Sequence, residues 1–504
     1  MTNFDKKQEN TNIFNRFTLR EGSITMKKAF KSKIIIALLI LGDILIYSAG
    51  FAVSQLFITG SFGFNLNEWY VFIVPLAIII FFFIMYDLYK TQVEGAYDSA
   101  IATGLSLIAA MVCSVVVMYL IFLNNIYVVR WLIRFAVLEV FMVLWRLFAA
   151  EMIKKFGEKI RCLIIENMNN TSRLARKLKY VTYYAREATY YMIDEDNSEE
   201  IDMIINEKIK DFDQIFISPA VSKPIAKRIM SQATLLHKEI SVLADLDSIT
   251  TMRGKILMLG DTPVVEKKLL HISKMQRLIK RTFDILFSLI LCLLTLPIIL
   301  ICAIAIRIDS EGPVIYKQER YTKNKRVFTV YKFRTMYTDA EKHGAMLATE
   351  DDPRITRVGK FLRATRLDEL PQLYNILFGH MSVVGPRPER PIFADEFSKN
   401  VGNYDIRYFV KAGLTGYAQV YGKYNTRVSD KILMDVIYIT NYSFLLDIKI
   451  ILLTTKTMFV KSATEGLDEK KDRNLSADEK EEKRRSETMK MLSESENEDI
   501  HSDV

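Results

Sequence analysis

Five apolar stretches constrain this chain more than any other feature: residues 34–58, 69–86, 101–123, 131 to about 150, and 285–306. Each is close to the roughly 20 helical residues that cross a bilayer core. With half of its 504 residues hydrophobic, the chain is too apolar for an ordinary soluble protein and reads as an integral membrane protein. The fourth stretch is the most polar of the N-terminal group, carrying Arg134, Glu139 and Arg146. Eight lysines and arginines between Lys6 and Lys33 precede the first stretch, whereas residues 59–68 contain none, so the N-terminus is expected in the cytoplasm. Four crossings return the chain to that side at Lys154 and Lys155. Asp43, inside the first stretch, suits a functional carboxylate and a polar contact within the bundle about equally.

From Lys159 the period changes. Residues 160–165, 190–193, 214–217 and 240–243 read as short strands, separated by helical stretches such as 172–178 and 223–237. This pattern predicts a parallel α/β domain of nucleotide-binding type. The first strand, however, runs into Glu166-Asn-Met-Asn-Asn-Thr-Ser172, with no glycine to let the backbone approach a pyrophosphate. A scaffolding or regulatory role is therefore favoured over cofactor binding.

The fifth apolar stretch has basic flanks on both sides, Lys274, Arg277, Lys280 and Arg281 before it and Arg307, Lys317 and Arg320 after it, which argues against a crossing. Pro297 lies in its interior, where the loss of one helical hydrogen bond bends the axis and offers a way to turn back. The expectation is a re-entrant helix broken at Pro297 with both ends cytoplasmic. Residues 465–504 have no aromatic side chain and are dominated by charged residues and serine, which predicts a disordered tail. The four cysteines, Cys113, Cys162, Cys292 and Cys302, form no CxxC pair and read as core residues. The formal net charge of +9 fits anionic headgroups rather than nucleic acid, since no nucleic-acid module is present. The organisation expected is a basic cytoplasmic tail (1–30), a four-helix transmembrane domain (31–152), a degenerate Rossmann-like α/β domain (158–262), a re-entrant helix with a monotopic catalytic domain (270–462), and a charged tail (465–504).

Adjacent carboxylates between two sets of arginines mark where chemistry can occur. Asp368 and Glu369 stand in Arg366-Leu-Asp-Glu-Leu-Pro-Gln372, and Gly385-Pro386-Arg387-Pro388-Glu389-Arg390 follows closely. Neighbouring helical side chains diverge by about 100°, so the two carboxylates suit different tasks, one as nucleophile or base and the other as metal or orienting partner. Arg354, Arg357, Lys360, Arg363 and Arg366 recur every three residues, which predicts a cationic helix face. Pro386 and Pro388 stiffen the backbone around Arg387, as suits a guanidinium that holds a diphosphate. Carboxylates without His or Cys favour a hard cation such as Mg²⁺, with Asp351 and Asp352 as alternative ligands.

These residues resemble the bacterial sugar transferase family, the monotopic polyprenyl-phosphate hexose-1-phosphate transferases, in its long form with a four-helix membrane domain and a Rossmann-like middle domain. The resemblance rests on Lys280-Arg-Thr-Phe-Asp284, Tyr331-Lys-Phe-Arg-Thr-Met336, Asp352-Pro-Arg-Ile-Thr-Arg-Val-Gly359, the Asp368 motif, Met381-Ser-Val-Val-Gly-Pro-Arg-Pro-Glu389 and Gly413-Leu-Thr-Gly416, in order, over about residues 274–461. It implies that Asp368 attacks the β-phosphate of a UDP-sugar, releasing UMP and leaving a phosphosugar on the enzyme. Undecaprenyl phosphate then takes the phosphosugar. The same resemblance makes Asp368 and Glu369 the Mg²⁺ site, and Lys332, Arg334, Arg354, Arg366, Pro386, Arg387 and Pro388 the substrate-binding set. It also implies a multi-pass protein of the bacterial inner membrane with its catalytic domain on inner-leaflet lipids, acting at the start of capsule, exopolysaccharide or O-antigen synthesis. The membrane bundle suits a homodimer. Two departures, the glycine-free Glu319-Arg-Tyr-Thr-Lys-Asn-Lys325 and Tyr417 where tryptophan is common, touch substrate fit. The competing readings are a membrane scaffold or sensor with an inactive module, and a glycosyltransferase using Asp368 as base.

Overall fold

The computed structural model describes residues 34–61, 69–89, 96–122, 128–156, 160–168, 186–218, 220–242, 244, 246–251, 254–259, 262–266, 272–340, 352–422 and 426–459. The expected N-terminal basic tail, the charged C-terminal tail, the helix over 172–178 and Asp351 lie outside these residues. The chain divides into two compact units, residues 1–248 and 249–504.

The first unit contains helices α1 (Ile34–Thr59), α2 (Trp69–Met85), α3 (Ala96–Phe122) and α4 (Val128–Phe156). Helices α1 and α3 are long and apolar enough to cross a membrane; α2 is a shorter apolar helix, and the charges in α4 set it apart. Those charges have a packing reason. Asp43 on α1 is buried and accepts hydrogen bonds from Trp145 Nε1 at 2.9 Å and Tyr89 Oη at 2.7 Å, and it pairs with the buried Arg146 of α4. Arg134 donates to Gln55 Oε1 at 2.9 Å. Of the two readings of Asp43, the polar contact within the bundle is the one the structure shows. Gly42 permits the close approach, because a β-carbon there would lie 2.1 Å from the Trp145 ring.

The same unit carries a four-stranded parallel sheet of order β2-β1-β3-β4, formed by β1 (Ile160–Asn167), β2 (Arg186–Ile193), β3 (Gln214–Ile217) and β4 (Glu239–Val242). Helices α5 (Ser198–Asn206) and α6 (Lys223–Leu235) pack on it, with Leu163, Ile165, Ile204, Ile215 and Ile229 in the core. This is the α/β pattern that the alternating sequence predicts. Beyond the end of β1, Glu195 accepts from Asn167 Nδ2 at 2.9 Å and from the Ser222 amide at 2.7 Å. A carboxylate thus occupies the strand ends where a dinucleotide phosphate would need N–H donors.

In the second unit, after the short helix α7 (Leu246–Thr251) that straddles the division, a hairpin of β5 (Lys255–Leu259) and β6 (Thr262–Glu266) precedes α8 (Lys274–Asp309). A capping box of Ser273 and Gln276 starts α8. The helix is continuous through Pro297, so the expected break is not present in the backbone. Proline removes only one intrahelical hydrogen bond, and the turns around it persist, with Thr295 Oγ1 bonded to the Leu291 carbonyl at 2.7 Å. Both ends of α8 pack on one body. Near its start, Lys280 pairs with Asp447 at 2.7 Å, and Asp284 accepts from Ser382 Oγ and the Val383 amide, both at 3.0 Å. Near its end, Cys302 and Ile306 join Phe333 and Leu362 in a core cluster. Between them the middle of the helix is bare, with Leu293 66% and Leu294 69% exposed.

The body consists of the antiparallel pair β7 (Ile315–Tyr321) and β8 (Val327–Phe333), helices α9 (Arg357–Ala364) and α10 (Gln372–Leu377), and the parallel pair β9 (Ser382–Val384) and β10 (Gly413–Thr415). Helices α11 (Pro391–Asn400), α12 (Tyr417–Tyr421), α13 (Val428–Thr440) and α14 (Phe444–Phe459) complete it. Its core gathers Val330, Leu373, Ile376, Val384, Tyr438 and Ile450.

Candidate active site

Asp368 and Glu369 lie on a single 3₁₀ turn, Leu367–Glu369, suspended between α9 and α10. Both helices are fixed. Asp309 at the end of α8 accepts from the Val358 amide at 3.0 Å, and Thr356 Oγ1 caps α9 by accepting from the Gly359 amide at 3.0 Å. Arg281 of α8 donates to the carbonyls of Ile376 and Leu377, each at 2.7 Å, and Asn375 bridges to β8 through Thr329 and Tyr331. The cationic face expected over 354–366 is broken up. Only Arg357, Lys360 and Arg363 are on α9: Arg354 precedes the cap, and Arg366 takes a left-handed conformation (φ 58°) that turns the chain into the 3₁₀ segment. That backbone is sparsely populated for a residue other than glycine.

The two carboxylates have different surroundings. Glu369 Oε1 accepts from Lys332 Nζ of β8 at 3.1 Å and pairs with Arg387 Nη2 at 3.4 Å. Burial, the largest influence on Glu369, works to raise its pKa, but Lys332 and Arg387 together hold it down at about 2. Asp368 makes no hydrogen bond or ion pair among the described residues. Burial, and then the charge of Glu369, push its pKa up against the pull of Lys332, Arg363 and Arg366. One carboxylate is thus clamped and permanently charged; the other is unclamped and more basic than usual.

The Arg387 loop is held from behind. The Pro386 carbonyl accepts from the Gly413 amide at 2.9 Å, and the Pro388 carbonyl from Arg320 Nη1 at 3.1 Å. The Arg387 carbonyl accepts from Arg407 Nη2 at 3.0 Å, and buried Arg407 pairs with buried Asp435 at 3.1 Å. The sequence carried no expectation for Arg407 or Asp435, and for Arg320 only a place among the basic flanks and in the glycine-free loop. Asp435 inside the otherwise apolar end of α13 was the available signal. Arg390 lies over the Phe393 ring at 5.8 Å.

Of the expected substrate-binding residues, Lys332, Arg366 and Arg387 act electrostatically on the carboxylate pair, and Pro386 and Pro388 hold Arg387. Two others are engaged elsewhere. Arg334 donates to the carbonyls of Ser310 and Glu311, which fastens the exit of α8. Arg354 forms a two-pronged pair with Asp352, at 2.8 and 2.6 Å, and this pair holds the Asp352 carboxyl down at about 2. Asp352 is therefore committed to an arginine. Among the described residues no group of three or more His, Cys, Asp or Glu could hold a metal by itself. Carboxylate oxygens such as those of Asp368 and Glu369 are of the hard donor type that Mg²⁺ prefers.

A small α/β body that grips both ends of a long apolar helix and presents a split pair of carboxylates among cations defines a helix-anchored domain with an anion-facing acidic site. Residues 275–461 match the model of the family described as bacterial sugar transferase. The chain is 38% identical over 235 residues to a UDP-N-acetylgalactosamine-undecaprenyl-phosphate N-acetylgalactosaminephosphotransferase of Aeromonas hydrophila, covering 46% of this chain and 55% of that protein. It is 35% identical over 271 residues to a UDP-glucose:undecaprenyl-phosphate glucose-1-phosphate transferase of Klebsiella pneumoniae, covering 52% and 58%. It is 41% identical over 186 residues to the exopolysaccharide production protein PSS of Rhizobium leguminosarum bv. phaseoli, covering 35% and 93%. The chain thus spans little more than half the length of the first two relatives and nearly all of the third. It belongs to the bacterial sugar transferase family.

Proposed function

We propose that this chain transfers a hexose-1-phosphate from a UDP-sugar to undecaprenyl phosphate, releasing UMP, at the start of capsule, exopolysaccharide or O-antigen synthesis. The observation that carries the proposal is the contrast at the 3₁₀ turn: among the described residues Asp368 has no hydrogen-bonded or ion-paired partner, while Glu369 is clamped by Lys332 and Arg387. An unpartnered carboxylate of raised basicity is a nucleophile in waiting. In the first step an Asp368 oxygen bonds to the β-phosphorus as the bond from that phosphorus to the bridging oxygen breaks, and UMP departs with the bridging electron pair. In the second, a phosphate oxygen of undecaprenyl phosphate bonds to the same phosphorus and the acyl phosphate bond breaks, which regenerates Asp368. Lys332 and Arg387 bind the diphosphate oxygens and offset the charge that develops on them. Mg²⁺ held by Asp368 and Glu369 would supply further charge neutralisation at the diphosphate.

The reading places the protein in the bacterial inner membrane, with α1 to α4 as four spans and α8 as a re-entrant helix. One observation supports the re-entrant reading: both ends of α8 pack on one body. A turn back into the same leaflet would then be a bend at Pro297 within a continuous helix. The relatives named for undecaprenyl phosphate support the lipid acceptor. The test is to incubate the full chain with Mg²⁺, undecaprenyl phosphate and a panel of UDP-sugars, measuring UMP and UDP separately. UMP release with one sugar, absent in Asp368→Asn, is expected. UDP as product would indicate glycosyl transfer, and no nucleotide release would indicate a scaffold.

A further inference from the structure

A second cationic site lies at the other end of α8, apart from the carboxylate pair. A cavity of about 360 Å³ is lined by Arg277, Lys280, Arg281, Lys323 and Lys411, together with Asp284 and the apolar Ile272, Phe409 and Val410. Among the described residues no hydrogen bond or ion pair joins them to Asp368 or Glu369. Lys280 is neutralised by Asp447, and Asp284 is engaged by Ser382 and the Val383 amide. Among the described residues the other four cations have no ion-paired carboxylate, although the charge of Asp284 acts on Lys411. Arg281 gives its guanidinium to two neutral carbonyls, and the side chains of Arg277, Lys323 and Lys411 have no hydrogen-bonded or ion-paired partner among the described residues. They are nevertheless held close together. Gly379, at φ +84°, approaches both Arg281 and Lys411, so that a β-carbon there would lie 3.3 Å from Arg281 Nη2 and 3.5 Å from Lys411 Nζ.

We propose that this cavity binds a phosphate group, either as a free ion or as the headgroup of an inner-leaflet lipid, with Arg277, Arg281, Lys323 and Lys411 as its donors. Four cations converging on one concavity repel one another, and a tetrahedral oxyanion relieves that repulsion while accepting several charge-assisted hydrogen bonds. In the unliganded cavity the cost is visible: burial, and then Arg281, lower the pKa of Lys411, and burial, followed by Arg277 and Arg326, lowers that of Lys323. The apolar wall suits a ligand with a hydrocarbon portion. Occupancy would fasten the start of α8 to the loops that carry Lys323 and Lys411. The site does not depend on which reaction Asp368 performs.

The test uses the full chain in neutral detergent, titrated by calorimetry with inorganic phosphate in one arm and dihexanoylphosphatidylglycerol in the other. Lys323→Gln with Lys411→Gln is expected to weaken binding about tenfold or more, as loss of charge-assisted bonds implies. Lys323→Arg with Lys411→Arg is expected to retain it. Binding in both arms supports a phosphate site open to either source, and binding in the lipid arm alone assigns the headgroup. Should the glutamine pair fail to fold, Arg277→Gln, on an exposed position, carries the same comparison. Binding in neither arm, or binding unchanged in the glutamine variants, overturns the proposal.

Discussion

Asp368 and Glu369 are covalent neighbours with unlike surroundings, and that contrast governs what their substitution should do. Asp368→Asn removes the proposed nucleophile and should lower kcat by about three orders of magnitude or more. Lys332→Met leaves Glu369 with Arg387 alone and should cost about a hundredfold in kcat/KM, as loss of one preorganised charge does elsewhere. The pH profile follows from the same contacts. Because burial and Glu369 raise the Asp368 pKa, activity should fall on the acid side at a higher pH than an ordinary aspartate would dictate. Because burial lowers the Lys332 pKa, the alkaline limb should begin below the usual lysine range. Asp352 has a structural role. Its folded pKa of about 2 lies below the unfolded value, so its pairing with Arg354 stabilises the fold at neutral pH, a contribution lost as pH falls from about 4 towards 2. Asp352→Asn should lower stability by about 3 kcal/mol in chemical denaturation at pH 7, with the difference closing in acid. Asp368, Glu369 and Arg387 stood out in the sequence because the adjacent acids lie between arginines with a Pro-Arg-Pro motif close behind, and the structure brings Glu369 and Arg387 together. Arg334 and Arg354 stand in motifs of their own, Tyr331–Met336 and Asp352–Gly359, yet their guanidiniums are consumed by neighbours that spacing does not reveal.

The elements of the second unit's body owe their positions to a few contacts that span long sequence distances. The parallel pair β9 and β10 closes only because glycine stands at the crossing: a β-carbon on Gly385 would lie 2.4 Å from the Lys411 carbonyl oxygen, and one on Gly413 would lie 2.1 Å from the Gly385 amide nitrogen. Gly385→Ala should therefore destabilise the body by about 3 kcal/mol and displace the Arg387 loop, seen as a lower Tm together with a raised KM. At the start of α8, Lys280→Met leaves the Asp447 carboxylate buried without its cation and should cost about 3 kcal/mol, partly restored when Asp447→Leu is added. In the first unit the strands were legible from their period, and β3 falls at 214–217 as expected, whereas the strands of the second unit carried no such signal. The cationic helix face was drawn too long, because the Thr356 cap and the left-handed Arg366 bound α9 at both ends, and neither breaks a three-residue spacing of charge.

At the scale of the whole chain, apolar helices, a parallel sheet without a phosphate-binding glycine loop, and a body that holds both ends of α8 follow one another in sequence. The order was legible because each has its own period and composition. Of α8 the sequence made legible a long apolar helix between basic flanks; the expected break at Pro297 is absent from the backbone, because the loss of one hydrogen bond does not end a helix whose neighbouring turns persist. Cysteines placed singly at Leu278 and Ile308 should react with a membrane-impermeant thiol reagent from the cytoplasmic face alone, in inside-out but not right-side-out vesicles, after the native cysteines are replaced by serine. The account as a whole turns on Asp368 carrying the sugar phosphate. The most direct measurement is the intact mass of the full chain after incubation with Mg²⁺ and its UDP-sugar in the absence of undecaprenyl phosphate. A gain of one hexose phosphate, mapped to Asp368, absent in Asp368→Asn and discharged on adding undecaprenyl phosphate, is the predicted result; lipid-dependent UMP release with no such adduct at any time would contradict it.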